Sequence, residues 1–120
     1  MLDIALEAVK MIRPHTIKAF GSAKTFHIKG DKSLVTQTDL FVEREIRQFL
    51  MSKYPDIEIM GEEFGSKFHG NFTTGWIIDP IDGTRAFLYG VPLFSTLVSY
   101  VENNEPIIGC LLYTSDAADE

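Results

Sequence analysis

The residues of this chain that could do chemistry are carboxylates placed at the ends of apolar runs. In "WIIDPIDGTRAFLYG" (76–90), three apolar residues lead into Asp79, then Pro80, Ile81, Asp82, Gly83 and Thr84, with no basic residue before Arg85. Upstream, "DIEIM" leads into Gly61-Glu62-Glu63. Carboxylates that converge on a partly buried site are costly unless compensated. They either take up a proton, with a raised pKa, or bind a cation. Oxygen donors with no His or Cys in the motif favour a hard ion, Mg²⁺ before Zn²⁺. Glu62 together with Asp79 and Asp82 supplies enough ligands for more than one ion.

Proline at position 80 has the φ required at the second position of a β-turn. The spacing therefore predicts a turn that brings the Asp79 and Asp82 Cα atoms within about 7 Å, where an extended chain would hold them roughly 10 Å apart. That turn leaves the Ile81 carbonyl pointing the same way. Gly83 allows close backbone approach, and Thr84 opens a short helical run, "TRAFLY". Amides at a helix start suit phosphate oxygens. Metal-binding carboxylates beside such a start indicate metal-assisted attack of water on a phosphate ester.

Blander readings stand beside these. A D-P-x-D turn alone is commonly structural; the apolar strand before it, the helix after it and the upstream G-E-E argue for a site. Asp39, next to Thr38, reads locally as a helix cap. Glu63 reads equally well as a solvated neighbour of Glu62. His15, His27 and His69 show no ligand spacing, and Cys110 lies in a strand pattern, a core position more than a nucleophile's. Other phosphatase chemistries fit poorly. A haloacid-dehalogenase-type site needs D-x-D, but Asp79 and Asp82 are three apart, and no Arg follows Cys110 for a cysteine phosphatase. A calcium loop would need Glu where Gly90 stands.

The elements that must position these residues follow from periodicity. Leu2, Leu6, Val9 and Ile12 mark the apolar face of a first helix opposite Asp3, Glu7, Lys10 and Arg13. Pro14 predicts a kink or a new turn, with the helix ending near Gly21. "KTFHIKGDKSLVT" reads as short extended pieces about a Gly30-Asp31 turn. Thr38 or Asp39 is the expected cap of a second helix bearing Val42, Ile46, Phe49 and Leu50, with a Glu43–Arg47 pair in the favourable order. Pro55 ends it. "DIEIM" and "WIID" are strands, and "PLFSTLVSYVE" and "PIIGCLLY" form a hairpin across "NNE". This order predicts a layered α/β sandwich, an α+β domain and not an all-α or all-β one.

The chain has 120 residues, enough for one compact domain. A net charge of −6 argues against nucleic-acid or anionic membrane surfaces as partners. Asp116, Asp119 and Glu120 contribute half of it. A single cysteine excludes an internal disulfide and fits a reducing, cytoplasmic setting. The charges in "MLDIALEAVKMI" speak against a signal peptide, and no apolar run reaches membrane-spanning length.

"LVTQTD" (34–39), "GEE" (61–63) and "WIIDPIDGT" (76–84) together resemble, in order, three N-terminal signatures of the inositol monophosphatase family of Mg²⁺-dependent phosphatases. The resemblance runs from the first helix through "PIIGC". It implies the N-terminal half of the sugar-phosphatase fold, and two or three Mg²⁺ ions in the intact site. Glu62, Asp79 and the Ile81 carbonyl would ligate one ion, and Asp79 with Asp82 another. Thr84 and Asp39 would form a dyad taking a proton from the attacking water, with Glu63 a further candidate catalytic residue. The Gly83 and Thr84 amides would hold the phosphate. The family implies a small phosphorylated substrate and a homodimer. After D-G-T, inositol phosphatases carry Thr or Lys, then Asn and Phe. Arg85-Ala86-Phe87, "GVPLFSTLVSY", "IRP" and "GEEFG" look more like the histidinol-phosphatase branch of histidine biosynthesis, with inositol and other small phosphate monoesters as the alternative.

Family members continue into a second α/β half that supplies a further Asp ligand and most contacts to the alcohol. Here "TSDAADE" (114–120) follows, expected to be a disordered and non-native acidic tail after a domain of residues 1–113. The expectation is a truncated product that is weakly active or inactive and poorly soluble alone. A fragment that binds metal without turnover is the rival from another class.

Overall fold

The computed structural model describes residues 1–20, 26–29, 34–66, 70–91 and 94–113. Helix α1 (Leu2–Phe20) and helix α2 (Gln37–Lys53) pack on each other and on one mixed sheet. The sheet has the order β3 (Ile59–Gly61), β4 (Gly75–Asp82), β5 (Ser95–Glu102), β6 (Glu105–Tyr113). Strand β3 runs parallel to β4, and the other two pairings are antiparallel. A separate antiparallel pair, β1 (Phe26–Ile28) and β2 (Leu34–Thr36), leads into α2. This is the layered α+β arrangement the element order predicts. The Gly30-Asp31 turn and residues 114–120 lie outside the described residues.

The core forms between the helices and the sheet. Ala5, Ala8, Val9 and Ile12 of α1 meet Val42, Ile46 and Leu50 of α2, over Ile59, Trp76, Ile78, Val98 and Tyr100. The face of α1 differs from the expected one: Leu2 and Leu6 are 54% and 36% exposed, while the small residues Ala5 and Ala8 are buried. Small side chains let the two helices approach closely, and the larger leucines lie off that contact. Pro14 neither stops nor divides α1, which runs on to Phe20. The Thr16 hydroxyl there donates to the Arg13 carbonyl at 2.9 Å. A second apolar cluster joins Ile81, Phe87 and Phe94 to Ala19 and Phe20 at the far end of α1. The β5–β6 hairpin turns through Asn103 (φ 51°) and Asn104 (φ 66°), two positive φ values matched to the twist of its strands.

Two local corrections bear on the site. The cap of α2 is neither Thr38 nor Asp39 but Thr36. Its hydroxyl accepts from the Asp39 amide at 3.2 Å, and its own amide donates to Asp39 Oδ2 at 2.8 Å. This is a capping box with Asp at the third helical position. The second correction concerns Pro80. No turn forms; β4 continues through Asp79-Pro80-Ile81-Asp82. Asp79 pairs with Leu97 and Asp82 with Ser95, so three residues of β4 span two of β5. One extra residue makes a bulge. Proline in an interior strand is confined to such places because it cannot donate to the ladder, and the cross-strand pairing with β5 prevails over a local turn.

Candidate active site

The bulge sets the direction of the acids. In a regular strand, residues three apart face opposite sides. Because Leu97 and Ser95 lie on one face of β5, their partners Asp79 and Asp82 also share a face. Burial along β4 agrees: Trp76, Ile78 and Pro80 are buried and Ile77 and Asp79 less so, then Ile81 breaks the alternation and Asp82 is exposed. The Thr96 hydroxyl donates to the Pro80 carbonyl at 2.9 Å and pins the bulge from β5.

Glu62 joins from the end of β3, its amide donating to the Ile78 carbonyl at 3.0 Å. The Asp79 carboxyl is pushed up to about 7, chiefly by burial, then by the charges of Glu62 and Asp82 and a hydrogen bond with Glu62. The Asp79 carboxyl therefore holds its proton to a higher pH than a solvated one would. Among the described residues, no three ligand-type side chains have closed on a common point.

Asp39 and Thr84 complete the cluster. Gly83 takes φ 91°, a left-handed conformation that favours glycine, and starts helix α3 (Thr84–Leu88). The Thr84 hydroxyl then lies 3.0 Å from Asp39 Oδ1 and 3.1 Å from the Ile81 carbonyl. Asp39 is fully buried. Its Oδ2 is held by the Thr36 amide at 2.8 Å and hydroxyl at 2.5 Å, leaving Oδ1 for Thr84. Burial raises the Asp39 pKa, and the hydrogen bonds from Thr36 and Thr84 oppose that rise. Asp39 thus supports the Thr36 cap through Oδ2 and meets Thr84 through Oδ1.

Glu63 is no solvated neighbour. Its side chain is 5% exposed and pairs with Lys29 at 2.8 Å. Burial raises its pKa against the opposing effect of Lys29. Burial lowers the Lys29 pKa, but Glu63 and the nearby Glu62 and Asp39 charges together raise it, so the ammonium stays charged. Lys29 escaped the sequence reading, since nothing local links it to a residue 34 positions away. Glu43 was legible only as half of a helical ion pair. It is fully buried, and Arg47 Nε donates to its Oε2 at 2.9 Å. Of the substrate-branch residues, Arg85 is exposed, whereas Phe87 is fully buried against Phe94 at 4.9 Å and serves the core. A cavity of about 320 Å³ lined by Arg47, Met51, Pro55 and Ile57 includes none of the acidic cluster.

Residues 1–113 match the model of the inositol monophosphatase family. The chain is 41% identical over 114 residues to an inositol monophosphatase of Dictyostelium discoideum, covering 92% of this chain and 42% of that protein. It is 42% identical over 100 residues to a histidinol-phosphatase of Chlorobaculum parvum, covering 82% and 38%. The solved structure of a Thermotoga maritima IMPase matches with a TM-score of 0.84 at 32% identity, covering 94% of this chain and 44% of that one. The chain thus spans about two-fifths of the length of these curated relatives.

Proposed function

The chain belongs to the inositol monophosphatase family, and from that premise we propose that it carries the metal-binding and water-activating part of a Mg²⁺-dependent phosphate monoester hydrolase. The observation that carries this reading is the Thr84–Asp39 hydrogen bond, 3.0 Å, beside the Glu62–Asp79–Asp82 acids.

The donor set fits a hard divalent cation. It consists of carboxylate oxygens and the Ile81 carbonyl, with no imidazole or thiolate. The Asp79 pKa is raised first by burial and then by the charges of Glu62 and Asp82, a setting that a bound cation would relieve. The described ion pairs, Lys29–Glu63 and Arg47–Glu43, serve other carboxylates. Glu62, Asp79, Asp82 and the Ile81 carbonyl would hold the metal, with a further Asp from sequence beyond the family signatures found here. Bound Mg²⁺ supplies positive charge that acidifies a water and stabilises the leaving oxygen.

The chain's own residues then act as follows. Thr84 Oγ1 donates its proton to Asp39 Oδ1, so its lone pairs are open to accept a proton from the attacking water. Asp39, held by Thr36 and made more basic by burial, takes up the proton that Thr84 passes on. The Gly83 and Thr84 amides, at the start of α3 with no side-chain cap, hold phosphate oxygens. Glu63, fixed by Lys29, adds to the negative field around the metal.

For substrate, the reading is histidinol phosphate, supported by Arg85-Ala86 after the D-G-T motif and by the 42% identity to a histidinol-phosphatase. Inositol monophosphate is the second reading, supported by the 41% identity to an inositol monophosphatase. The histidinol reading places the intact protein in histidine biosynthesis; the family resemblance adds a homodimer, and the single cysteine a cytoplasmic setting. The test is Mg²⁺ titration with phosphate release from both esters. Mg²⁺ binding that Asp79→Asn abolishes, with faster release from histidinol phosphate, is expected, and turnover by this chain alone should be weak. Mg²⁺ binding indifferent to Asp79→Asn, or release without Mg²⁺, would sink the reading.

A further inference from the structure

Glu43 is a buried carboxylate that the chemistry above does not use. It lies on α2 one turn after Asp39, a spacing that puts both on one side of the helix. It is 0% exposed. Its Oε1 accepts from the Glu63 amide at 2.7 Å, and its Oε2 from the Phe64 amide at 2.9 Å and from Arg47 Nε at 2.9 Å. Arg47 Nη2 also donates to the Gly65 carbonyl. Gly61 and Gly65 close the segment with reciprocal backbone hydrogen bonds of 3.0 and 2.9 Å. Each of these contacts holds the loop that presents Glu62 and Glu63.

Gly61 shows that this fit is selective. A Cβ there would overlap the Glu43 carboxylate where it now sits, so the acid would have to move off the two loop amides. A buried charge that merely stabilised the fold would be a poor choice, since apolar residues of similar size serve as well or better. A carboxylate that accepts from consecutive amides instead fixes where the loop sits. The same helix presents Asp39 to Thr84, so α2 sets both ends of the site.

We infer that Glu43 is a positioning residue that holds the 61–65 loop, so that Glu62 meets Asp79 before any cation arrives. The inference rests on the metal reading of Glu62 and Asp79. Groups that orient metal ligands typically govern affinity by about 10–100-fold, and Glu43 acts in that way through the backbone.

The test combines Mg²⁺ titration with amide hydrogen exchange. Glu43→Gln keeps size and one acceptor but turns the other oxygen into a donor that cannot serve an amide. It should weaken Mg²⁺ binding about 10–100-fold and speed exchange at the Glu63 and Phe64 amides. Gly61→Ala, which displaces the carboxylate without removing it, should act in the same direction. Variants that lose stability yet bind Mg²⁺ like the unsubstituted chain would overturn the inference. In the unsubstituted protein both amides should be protected without Mg²⁺ and unchanged by it. Protection that appears only on Mg²⁺ addition would also overturn it, and this arm needs no variant to fold. If the unsubstituted chain binds no Mg²⁺, the metal reading itself fails; if it binds and the variants bind equally well, only the role of Glu43 fails.

Discussion

The Thr84 hydroxyl donates to Asp39 Oδ1 at 3.0 Å across 45 residues of sequence. The contact depends on a capping box at one end of α2 and a left-handed glycine at the start of α3. Neither device is itself chemical. Together they aim a hydroxyl at a buried carboxylate beside three further acids.

Thr84→Val removes this hydrogen bond with little change of shape. In a protein that turns over substrate, kcat should fall by about 10²–10⁴-fold, the usual worth of positioned proton transfer. Mg²⁺ affinity should stay within a few-fold. Parallel loss of both quantities would place Thr84 among the metal-holding groups instead.

Asp79 predicts a pH effect in the metal-free chain. Its folded pKa, about 7, lies above the ordinary value of 3.8, so the folded state holds the proton more tightly than the unfolded one. That contribution is complete below pH 3.8 and is lost as pH rises through 7. After allowance for partial solvent screening, it is worth about 1–2 kcal/mol. Relative to the unsubstituted chain, Asp79→Asn should therefore gain stability in denaturant melts as pH rises from 4 to 8. Mg²⁺ should cancel the difference at the alkaline end.

Gly83→Ala forces a Cβ into φ 91°. It should cost about 1–2 kcal/mol of stability and misplace Thr84, so kcat falls more than the stability loss explains. Urea denaturation paired with kinetics at a temperature where the variant stays folded separates the two effects.

Ile46→Ala opens the core beneath Trp76 and should cost about 2–5 kcal/mol. Trp76 is the only tryptophan and is fully buried, 5.3 Å from the Tyr100 ring. Its emission should therefore report the loss directly, shifting red at lower urea than in the unsubstituted chain. Mg²⁺ should leave that emission in the folded state unchanged, because Trp76 lies in the helix–sheet core and not in the acidic cluster.

Much of the architecture was legible because local patterns carried it. The periodicity of 42–50 gave α2, the apolar runs 93–102 and 106–113 either side of Asn103-Asn104-Glu105 gave the hairpin, and Pro55 gave a stop. The face of α1 was misread because large apolar residues outrank alanine on any hydrophobicity count. Close helix packing rewards the small residue instead, leaving Leu2 and Leu6 outside. Pro80 was misread for a related reason. Turn preference is local, whereas its competitor was pairing with β5, a strand 13 residues beyond Asp82 in sequence.

The sequence by itself determined which groups are candidates for a site: Asp39, Glu62, Glu63, Asp79, Ile81, Asp82, Gly83 and Thr84 stand in three ordered motifs that resemble the family's signatures. Only the tertiary structure decided how those acids lie relative to one another. A bulge, and not a turn, puts Asp79 and Asp82 on one face. Buried Glu43 and the Lys29–Glu63 pair hold the neighbouring loop. Spacing shows which residues lie close along the chain. Burial, cross-strand register and the partners of a buried charge are set by segments far apart in sequence, and exist only once the chain has packed.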